Sequence, residues 1–286
     1  MNKIIILLGQ RVRSGTNFIG STLGQHPDIV TLPLSTSLGE FNLFKDNSIE
    51  LCYDKISKDS FGLNFTSVDK TIFLKNYGKS WIQLLIKKYN IPQDKTIFIK
   101  SPYLDGFLLW KTVFPDSKIA IICRDGRDNV ISSVKASNDK RSWHKINKSL
   151  KKRINFYSGR YFINHTKEWK RTAKNILKIE ESSRVSKFKY EDLINSENNI
   201  IDLLNYYGLE VTESIVNKCL EAPVMGSSFG IQADGIVKPN WKPDFDKSKF
   251  IFTNKWKKWS LQKKIIFRLI AGPELIKLGY ENNNNW

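Results

Sequence analysis

Short apolar stretches recur along the chain, and each of them ends in polar or cationic residues. Four are rich in β-branched residues, and segments with the apolar spacing of a helix separate them, which is typical of a parallel sheet with helical crossovers. The predicted strands are residues 3–8, 96–99, 118–123 and 185–188. Ligands of open α/β sheets bind at the carboxyl edge of the strands, so the residues that follow each stretch are the first candidates for a functional site.

The intervening segments predict helices. They are residues 17–25, 79–89, 104–114, 127–137, 151–181, 198–207 and 260–278, the last with a break near Gly272-Pro273. Two regions lack clear periodicity: we interpret 34–67 as a lid and 223–254 as a long loop that folds over a ligand. The pattern predicts one α/β domain over residues 1–280, with a central parallel sheet flanked by helices. A disordered tail, 281–286, is expected after it because four asparagines stand in a row there.

Composition narrows the class without deciding it. With 286 residues, 41% of them hydrophobic, the chain can bury a full core. A net charge of +18 suits an anionic small ligand, an acidic substrate, nucleic acid or a membrane surface, and it does not choose among them. The first apolar run is only five residues long, too short for a membrane span or a signal-peptide core. We therefore expect no membrane segment.

Cysteine and histidine usage indicates neither disulfides nor a metal. The three cysteines are isolated and odd in number, which favours a reducing compartment and a cytoplasmic location. The three histidines share no metal-ligand spacing, and no cysteine accompanies them at such a spacing. We expect no structural metal.

The first predicted strand leads directly into GQRVRSGTNF, residues 9–18. This segment is similar to the P-loop pattern GxxxxGK[ST], in which backbone N–H groups and a helix N-terminus bind phosphate. Gly15 stands where the P-loop has its lysine, and the nearest cation is Arg13. Ser14 and Thr16 add hydroxyl groups. The loop predicts an anion site but argues against ordinary nucleotide hydrolysis; a ligand-free turn between strand and helix is the alternative.

A second motif follows the third predicted strand, in the segment KIAIICRDGRDNVISS, residues 118–133. Arg124 offers a planar fork for a phosphate, and Ser132, eight residues later, adds a hydroxyl. The alternative is an ordinary surface ion pair between Arg124 and Asp128. Together with RSGTN, this motif resembles the PAPS-dependent sulfotransferases. In that family an R/K-SGTT loop holds the 5′-phosphosulfate, and an R-D/N-P-R/K-D-x-x-x-S motif holds the 3′-phosphate.

The resemblance implies a P-loop NTPase-like sulfotransferase fold and extends over most of the chain. It places Arg13, Ser14, Gly15, Thr16 and Asn17 at the phosphosulfate, and Arg124 and Ser132 at the 3′-phosphate. The segment FIKSP is similar to the family's strand that ends in a lysine near the leaving oxygens, which makes Lys100 a catalytic candidate with Arg13.

Further segments imply contacts to the nucleotide. KFKYEDL is similar to the family's YEDL segment, so Tyr190 is expected to border the adenine, and GSSF is similar to its T-S-F loop, which brings in Ser227 and Ser228. NKWKKWSL is similar to the W-K-x-x-L segment, so Lys255 or Lys257 is expected at the 3′-phosphate. A solvated lysine face over a partly buried tryptophan stripe is the alternative for that run.

Three departures from the family pattern matter. Position 126 is Gly where the family usually has Pro, and position 17 is Asn where it usually has Thr. No histidine follows Lys100, unlike the cytosolic branch with its histidine base, so the chain is closer to the bacterial and tyrosylprotein-type branch. There a glutamate serves as the base, and Glu40 is the candidate, with His144 and Asp105 as reserves and an exposed surface glutamate as the alternative.

The resemblance implies in-line transfer of a sulfuryl group from PAPS to a hydroxyl or amine of a small-molecule or glycan acceptor, with PAP as the product. We expect no metal, no nucleic acid and no membrane partner, and the sequence leaves the oligomeric state open. Two other functions stay possible at this point. One is a P-loop small-molecule kinase, and the other is a polyanion- or nucleic-acid-binding module based on the basic charge and eight tryptophans.

Overall fold

A five-stranded parallel sheet forms the centre of the molecule. The computed structural model describes residues 2–31, 38–138, 150–225, 228–231, 237–240, 243–250, 252–283 and 285–286. The strands of the sheet are β1 (Ile4–Gly9), β2 (Ile29–Thr31), β3 (Thr96–Ser101), β4 (Lys118–Cys123) and β5 (Val185–Lys189). Their order is β2-β3-β1-β4-β5, and every neighbouring pair is parallel.

The register of the central strands brings the predicted motifs to one edge. Leu8 in β1 pairs with Ser101 in β3, and Gly9 pairs with Ile122 in β4. The loops that leave these three strands therefore begin side by side. Cys123 pairs with Lys189, which adds the end of β5 to the same edge.

Eleven helices are described. They are α1 (Thr16–Leu23), α2 (Ser48–Asp59), α3 (Ser67–Tyr89), α4 (Phe107–Val113), α5 (Gly126–Ser137), α6 (Leu150–Tyr157), α7 (Arg160–Leu177), α8 (Tyr190–Asn195), α9 (Glu197–Tyr207), α10 (Glu213–Leu220) and α11 (Leu261–Lys277). Short 3₁₀ turns cover Lys247–Lys249 and Lys255–Lys258. Two small antiparallel pairs join β6 (Val224–Met225) to β9 (Pro243–Asp244) and β7 (Ser228–Ile231) to β8 (Val237–Asn240).

Helices cover both faces of the sheet. Along β1, Ile6 and Leu8 belong to one apolar cluster, which includes Trp110 of α4. Ile5 and Leu7 belong to the opposite cluster with helices α1, α9 and α10. A strand that is buried on both faces has a continuous apolar sequence, which explains why the hydrophobic pattern identifies β1.

The four predicted strands are confirmed, one strand of the central sheet was missed, and the short strands β6 to β9 were not predicted either. Residues Ile29–Thr31 form β2, which pairs with the start of β3 at the edge of the sheet. Three residues are too few to show alternation, so the hydrophobic pattern carried no signal for this strand.

Two predicted helices differ in the structure. The expected helix 151–181 is divided into α6 and α7 by Gly159, whose φ of 66° lies in the left-handed region. The expected break near Gly272-Pro273 is absent, and α11 continues through Pro273. Ala271 and Leu275 on either side of it are buried in one cluster, so packing there outweighs the lost backbone hydrogen bond.

The regions expected to lack structure contain more order than predicted. Helix α2 and the first part of α3 lie within or next to the predicted lid, and the capping box of Thr66 and Asp69 starts α3 twelve residues before the predicted helix. The tail was also predicted to be disordered. In the structure Glu281 forms an ion pair with Arg127, and the Trp286 ring packs on Phe267; the disorder of 281–286 stays a prediction. Among the described residues, no helix is long and apolar enough to cross a membrane.

Candidate functional site

The loop between β1 and α1 depends on close packing against Tyr190. Gly15 has a φ of 94°, and a Cβ atom added there would lie 2.1 Å from the Tyr190 ring. Glycine is required both by the backbone conformation and by the space. The Ser14 hydroxyl is buried and accepts a hydrogen bond from the Arg11 backbone N–H at 3.2 Å, so it stabilises the loop from inside. Thr16, also buried, begins α1.

Arg13 and Ser132 meet at the outer side of this loop. The Arg13 Nε donates to the Ser132 Oγ at 3.2 Å, although 119 residues separate them in sequence. The resemblance implies that Arg13 binds the 5′-phosphosulfate and Ser132 the 3′-phosphate. Their hydrogen bond shows that these two candidate residues lie next to each other. Arg13 has a φ of 71°, an unusual backbone conformation for a non-glycine residue.

Arg124 connects three segments at the carboxyl edge of β4. Its guanidinium donates to the backbone carbonyls of Arg13 at 2.8 Å and Phe252 at 2.6 Å, and it lies 4.6 Å from the centre of the Tyr190 ring. Its buried Nε has no hydrogen-bond partner in the described part of the chain. An unpaired buried donor is costly, so this nitrogen favours an approaching acceptor, which would have to reach it by a small shift of the side chain.

Lys255 approaches the same region from the turn before α11. Burial lowers the pKa of Lys255, and the charge of Arg124 lowers it further; the Asp128 carboxylate opposes this, and Lys135 and Arg13 add smaller decreases. Cations brought this close repel one another, and a bound polyanion would relieve that repulsion. Lys257 is exposed on the same turn, and its assignment stays a prediction.

Lys100 and Glu40 form an ion pair on the other side of the loop. Lys100 lies near the end of β3 and is fully buried, and its Nζ lies 2.5 Å from the Glu40 Oε2 and 2.7 Å from the Asn17 Oδ1. Burial lowers the pKa of Lys100, and the Glu40 carboxylate opposes this effect. The Glu40 side chain keeps 20% of its surface exposed, so one end of the pair reaches solvent.

Two of the three departures from the family pattern, at positions 17 and 126, have a structural reason. The Asn17 amide oxygen accepts a hydrogen bond from Lys100, which a threonine hydroxyl would have to replace from a different position. At position 126, an added Cβ would lie 2.5 Å from the Trp169 ring, so the tryptophan takes the space that a proline would need.

Several predicted residues do not join the site in this way. Tyr190 is only 3% exposed, and its ring packs against Gly15 and Arg124. It presents no open ring face of the kind expected beside an adenine. Burial raises its pKa to about 12. Asp105 is exposed and forms a bidentate ion pair with Arg171, at 2.7 and 3.1 Å. His144 and Ser227 lie outside the described residues, and so does the side chain of Ser228.

Sequence reasoning missed Arg11. Its guanidinium is buried, and it donates to the Asn129 Oδ1 at 2.7 Å, to the Ser133 Oγ and to the His165 carbonyl, both at 3.4 Å. All of these hydrogen-bond partners are neutral. Burial lowers the pKa of Arg11 to about 10, while burial and the Arg11 charge together lower the pKa of His165 to about 4. The only signal in the sequence was a second arginine in the loop, two residues before Arg13.

No group of histidine, cysteine or carboxylate side chains with the arrangement of a metal site occurs in the described ranges. The three cysteines are free; Cys52 is exposed, and the other two are buried. Burial raises the pKa of the Cys123 thiol to about 12.

Comparisons with known proteins define the class. The sulfotransferase family model matches residues 5–213, well over half of the chain. The protein therefore belongs to the sulfotransferase family. A search of curated protein sequences finds no significant match.

Solved structures share the fold at low sequence identity. The sulfotransferase domain of the Synechococcus PCC 7002 olefin synthase is 14% identical, with a TM-score of 0.53 over 95% of this chain and 94% of that domain. The sulfotransferase domain of the curacin biosynthetic pathway is 16% identical, with a TM-score of 0.53 over 98% and 99%. Mouse sulfotransferase SULT7A1, complexed with PAP, is 15% identical, with a TM-score of 0.52 over 98% and 86%.

Proposed function

We propose that this sulfotransferase takes its sulfuryl group from PAPS and transfers it to a hydroxyl or amine of a small-molecule or glycan acceptor. The observation that carries the proposal is the convergence of Arg13, Arg124 and Lys255 with Ser132, next to the buried pair of Lys100 and Glu40. One cluster suits a nucleotide with two separate phosphate groups, and the other suits the reacting centre.

The residues fit this co-substrate without added groups. The loop around Gly15 offers backbone N–H groups and the start of α1 to the phosphosulfate. Arg124 has a buried donor that favours an approaching acceptor, and with Ser132 and Lys255 it would hold the 3′-phosphate. When bound, PAPS supplies an activated sulfuryl group and a phosphate leaving group.

Glu40 and Lys100 have complementary roles in the transfer. Glu40 takes the proton of the acceptor as the new bond to sulfur forms and the bond from sulfur to the leaving phosphate oxygen breaks. Protonation of Glu40 removes the counter-charge of Lys100, so the ammonium then stabilises the charge that develops on the leaving oxygen. Preorganised donors of this kind each contribute about 3 kcal/mol in enzymes where they have been removed.

The alternative function of a P-loop kinase is disfavoured by the packing at Gly15. A P-loop kinase needs a lysine at this position. Here the Tyr190 ring occupies the space where even a Cβ would stand, so no lysine can be accommodated without moving the ring. The loop and the Tyr190 ring that packs against it therefore suit a ligand whose charge is balanced by Arg13 and Lys100, and not by a lysine at position 15.

The +18 charge supports an anionic or hydroxylated acceptor, and three free cysteines support a cytoplasmic location. We expect neither a metal nor nucleic acid to take part in the reaction. The nucleic-acid alternative rests on charge alone, whereas the proposed function rests on the contact of Arg13 with Ser132 and on Arg124, which binds the Arg13 carbonyl.

A thermal-shift comparison tests the proposal. We expect adenosine 3′,5′-bisphosphate to raise the melting temperature at micromolar concentration, and ATP with Mg²⁺ to have a much smaller effect. Stabilisation by ATP with Mg²⁺ alone would overturn the proposal in favour of a kinase. Transfer of labelled sulfuryl from PAPS to a panel of phenols, amines and glycans would then identify the acceptor.

A further inference from the structure

Arg127 contacts two tryptophan rings, Trp256 and Trp286, that are nearly perpendicular to each other and far from it in the sequence. Its guanidinium carbon is 3.6 Å from the centre of the Trp256 ring and 4.6 Å from that of the Trp286 ring. The two indoles meet edge to face at 5.5 Å. Arginine beside aromatic rings is stabilised by cation–π attraction, and more strongly when the group is desolvated. Arg127 is only 2% exposed, so this arrangement is a buried one.

Two carboxylates complete the surroundings of Arg127. Asp125 pairs with its Nη2 at 2.6 Å, and Glu281 pairs with its Nη1 at 2.5 Å. Asp125 belongs to the same turn as Arg127, whereas Glu281 is 154 residues away. Glu281 and Trp286 therefore both contact Arg127 in the first turn of helix α5, which begins two residues after Arg124.

The next residue, Asp128, holds the backbone on which Trp256 stands. Its carboxylate accepts hydrogen bonds from the backbone N–H groups of Asn254 at 2.6 Å, Lys255 at 2.8 Å and Trp256 at 3.3 Å. Asn254 adopts a left-handed conformation, with φ of 61°, to begin this turn. Asp128 thus fixes the backbone of Lys255, and Arg127 fixes the side chain of its neighbour Trp256.

This arrangement fixes the backbone from which the Lys255 side chain extends. Arg124 also takes part, since it donates to the carbonyl of Phe252 at the start of the same segment. The turn is short, and only Trp256 within it is buried. Loss of the Trp286 ring, which contacts both Arg127 and Trp256, would release Trp256 first, and Lys255 with it.

We propose that Arg127, Glu281 and Trp286 are positioning residues for Lys255, so that Glu281 and Trp286 complete the site for the 3′-phosphate. The inference rests on the proposed function, because it assumes a nucleotide that carries this phosphate. It makes the preference for 3′-phosphorylated nucleotides depend on a segment that does not itself touch the ligand.

Calorimetric binding of two nucleotides tests the inference. In Trp286→Ala we expect the affinity for adenosine 3′,5′-bisphosphate to fall about tenfold, the amount typical of one lost charged hydrogen bond. The affinity for adenosine 5′-monophosphate, which lacks the 3′-phosphate, should stay within about twofold. Trp286→Phe should keep most of the preference, since a phenyl ring still stacks on Arg127.

A double variant shows whether the effect passes through Lys255. If Trp286 acts by positioning Lys255, then Lys255→Ala with Trp286→Ala loses no more affinity than Lys255→Ala alone. Additive losses would overturn the inference. So would an equal loss of affinity for both nucleotides, because a merely structural role predicts that result.

Two more variants serve as a control and a substitute. Trp81→Ala removes a partly exposed tryptophan that contacts Phe41 and Tyr77, away from Arg127, and should leave both affinities unchanged. If Trp286→Ala does not fold, Glu281→Gln removes only the ion pair and should show the same selective loss at a smaller size. A wild-type protein without any preference for the 3′-phosphate would instead overturn the proposed function itself.

Discussion

The two halves of the site differ in how they are built. The phosphate half comprises residues 10–17, 124–133 and 252–256, and the acceptor half comprises residues 38–68 and 100–105. In the phosphate half, charged and polar side chains are buried and connect distant segments: Arg124 binds the carbonyls of Arg13 and Phe252, and Asp128 binds three backbone N–H groups. Such a half is organised before any ligand arrives.

The acceptor half presents large apolar side chains to solvent. Phe61 is fully exposed, and Leu51, Leu63 and Val68 keep more than half of their surfaces exposed. Only Glu40 and Lys100 combine burial and charge there, at the boundary with the phosphate half. The phosphate half is thus fixed by buried hydrogen bonds. The acceptor half has exposed apolar surface that a partner or substrate could cover, and the fold alone does not specify which.

The largest effect should come from the pair at the boundary. In Lys100→Ala we expect turnover to fall by a factor of about 10² to 10³, as for removal of a preorganised donor in other enzymes. Affinity for adenosine 3′,5′-bisphosphate should change by only a modest factor, because Arg124 and Ser132 remain. Single-turnover sulfuryl transfer and calorimetry measure the two quantities separately.

Lys95→Ala is a suitable control, since this lysine is on the surface and contacts the Pro27 carbonyl and Asp28. It should leave turnover unaltered. Unchanged turnover in Lys100→Ala would remove that residue from the mechanism and leave the acceptor half without a charged reacting centre.

The sequence predicted the phosphate half better than it predicted the contacts that support it. Arg13, Arg124 and Ser132 follow strands or lie on the helix that comes next, and local patterns mark such positions. Lys100 and Glu40 were separate candidates, and their 2.5 Å contact depends on the parallel pairing of residue 40 beside β3, which lies inside an aperiodic region. The local sequence pattern identifies residues at the ends of strands, but it does not identify the residues that they contact.

Local sequence patterns do not indicate contacts between segments that are distant in the chain. Arg11 is buried against Asn129 and His165, over a hundred residues away, and nothing in its neighbours distinguishes it from a solvated arginine. The same holds for Arg127 and its contacts with Glu281 and Trp286. The prediction of a disordered tail rests on asparagine content, and that content carries no information on the contacts of Glu281 and Trp286.

An intermediate effect should appear in the pH dependence of stability, through His165, which contacts Arg11 of the phosphate half. His165 has its pKa lowered to about 4 in the folded protein, by burial first and by Arg11 second. Between about pH 6.5 and pH 4 the unfolded chain therefore binds a proton at this residue that the folded chain does not. The free energy of unfolding then falls as the pH drops through this window, by up to about 3 kcal/mol from this group.

Urea unfolding at pH 7 and pH 5 measures this contribution when wild type is compared with His165→Asn. The comparison is needed because burial raises the pKa of Glu191 to about 7, which acts in the opposite direction over part of the same range. We expect the wild type to lose more stability than the variant between the two pH values. An equal loss in both proteins would show that His165 is not held neutral by burial beside Arg11.

The smallest effect is expected at Asp105, the reserve base in the acceptor half. Its carboxylate is already paired with Arg171, and both side chains are exposed, so the pair contributes less than about 1 kcal/mol to stability. Turnover of Asp105→Asn should stay within about twofold of wild type, whereas Glu40→Gln should lose most activity, because an amide cannot take a proton from the acceptor. The two substitutions are matched in chemistry, and only the surroundings of the carboxylates differ. If Asp105→Asn lost turnover and Glu40→Gln kept its activity, Asp105 and not Glu40 would be the general base. The ion pair of Asp105 with Arg171 would then have to break before the acceptor could bind.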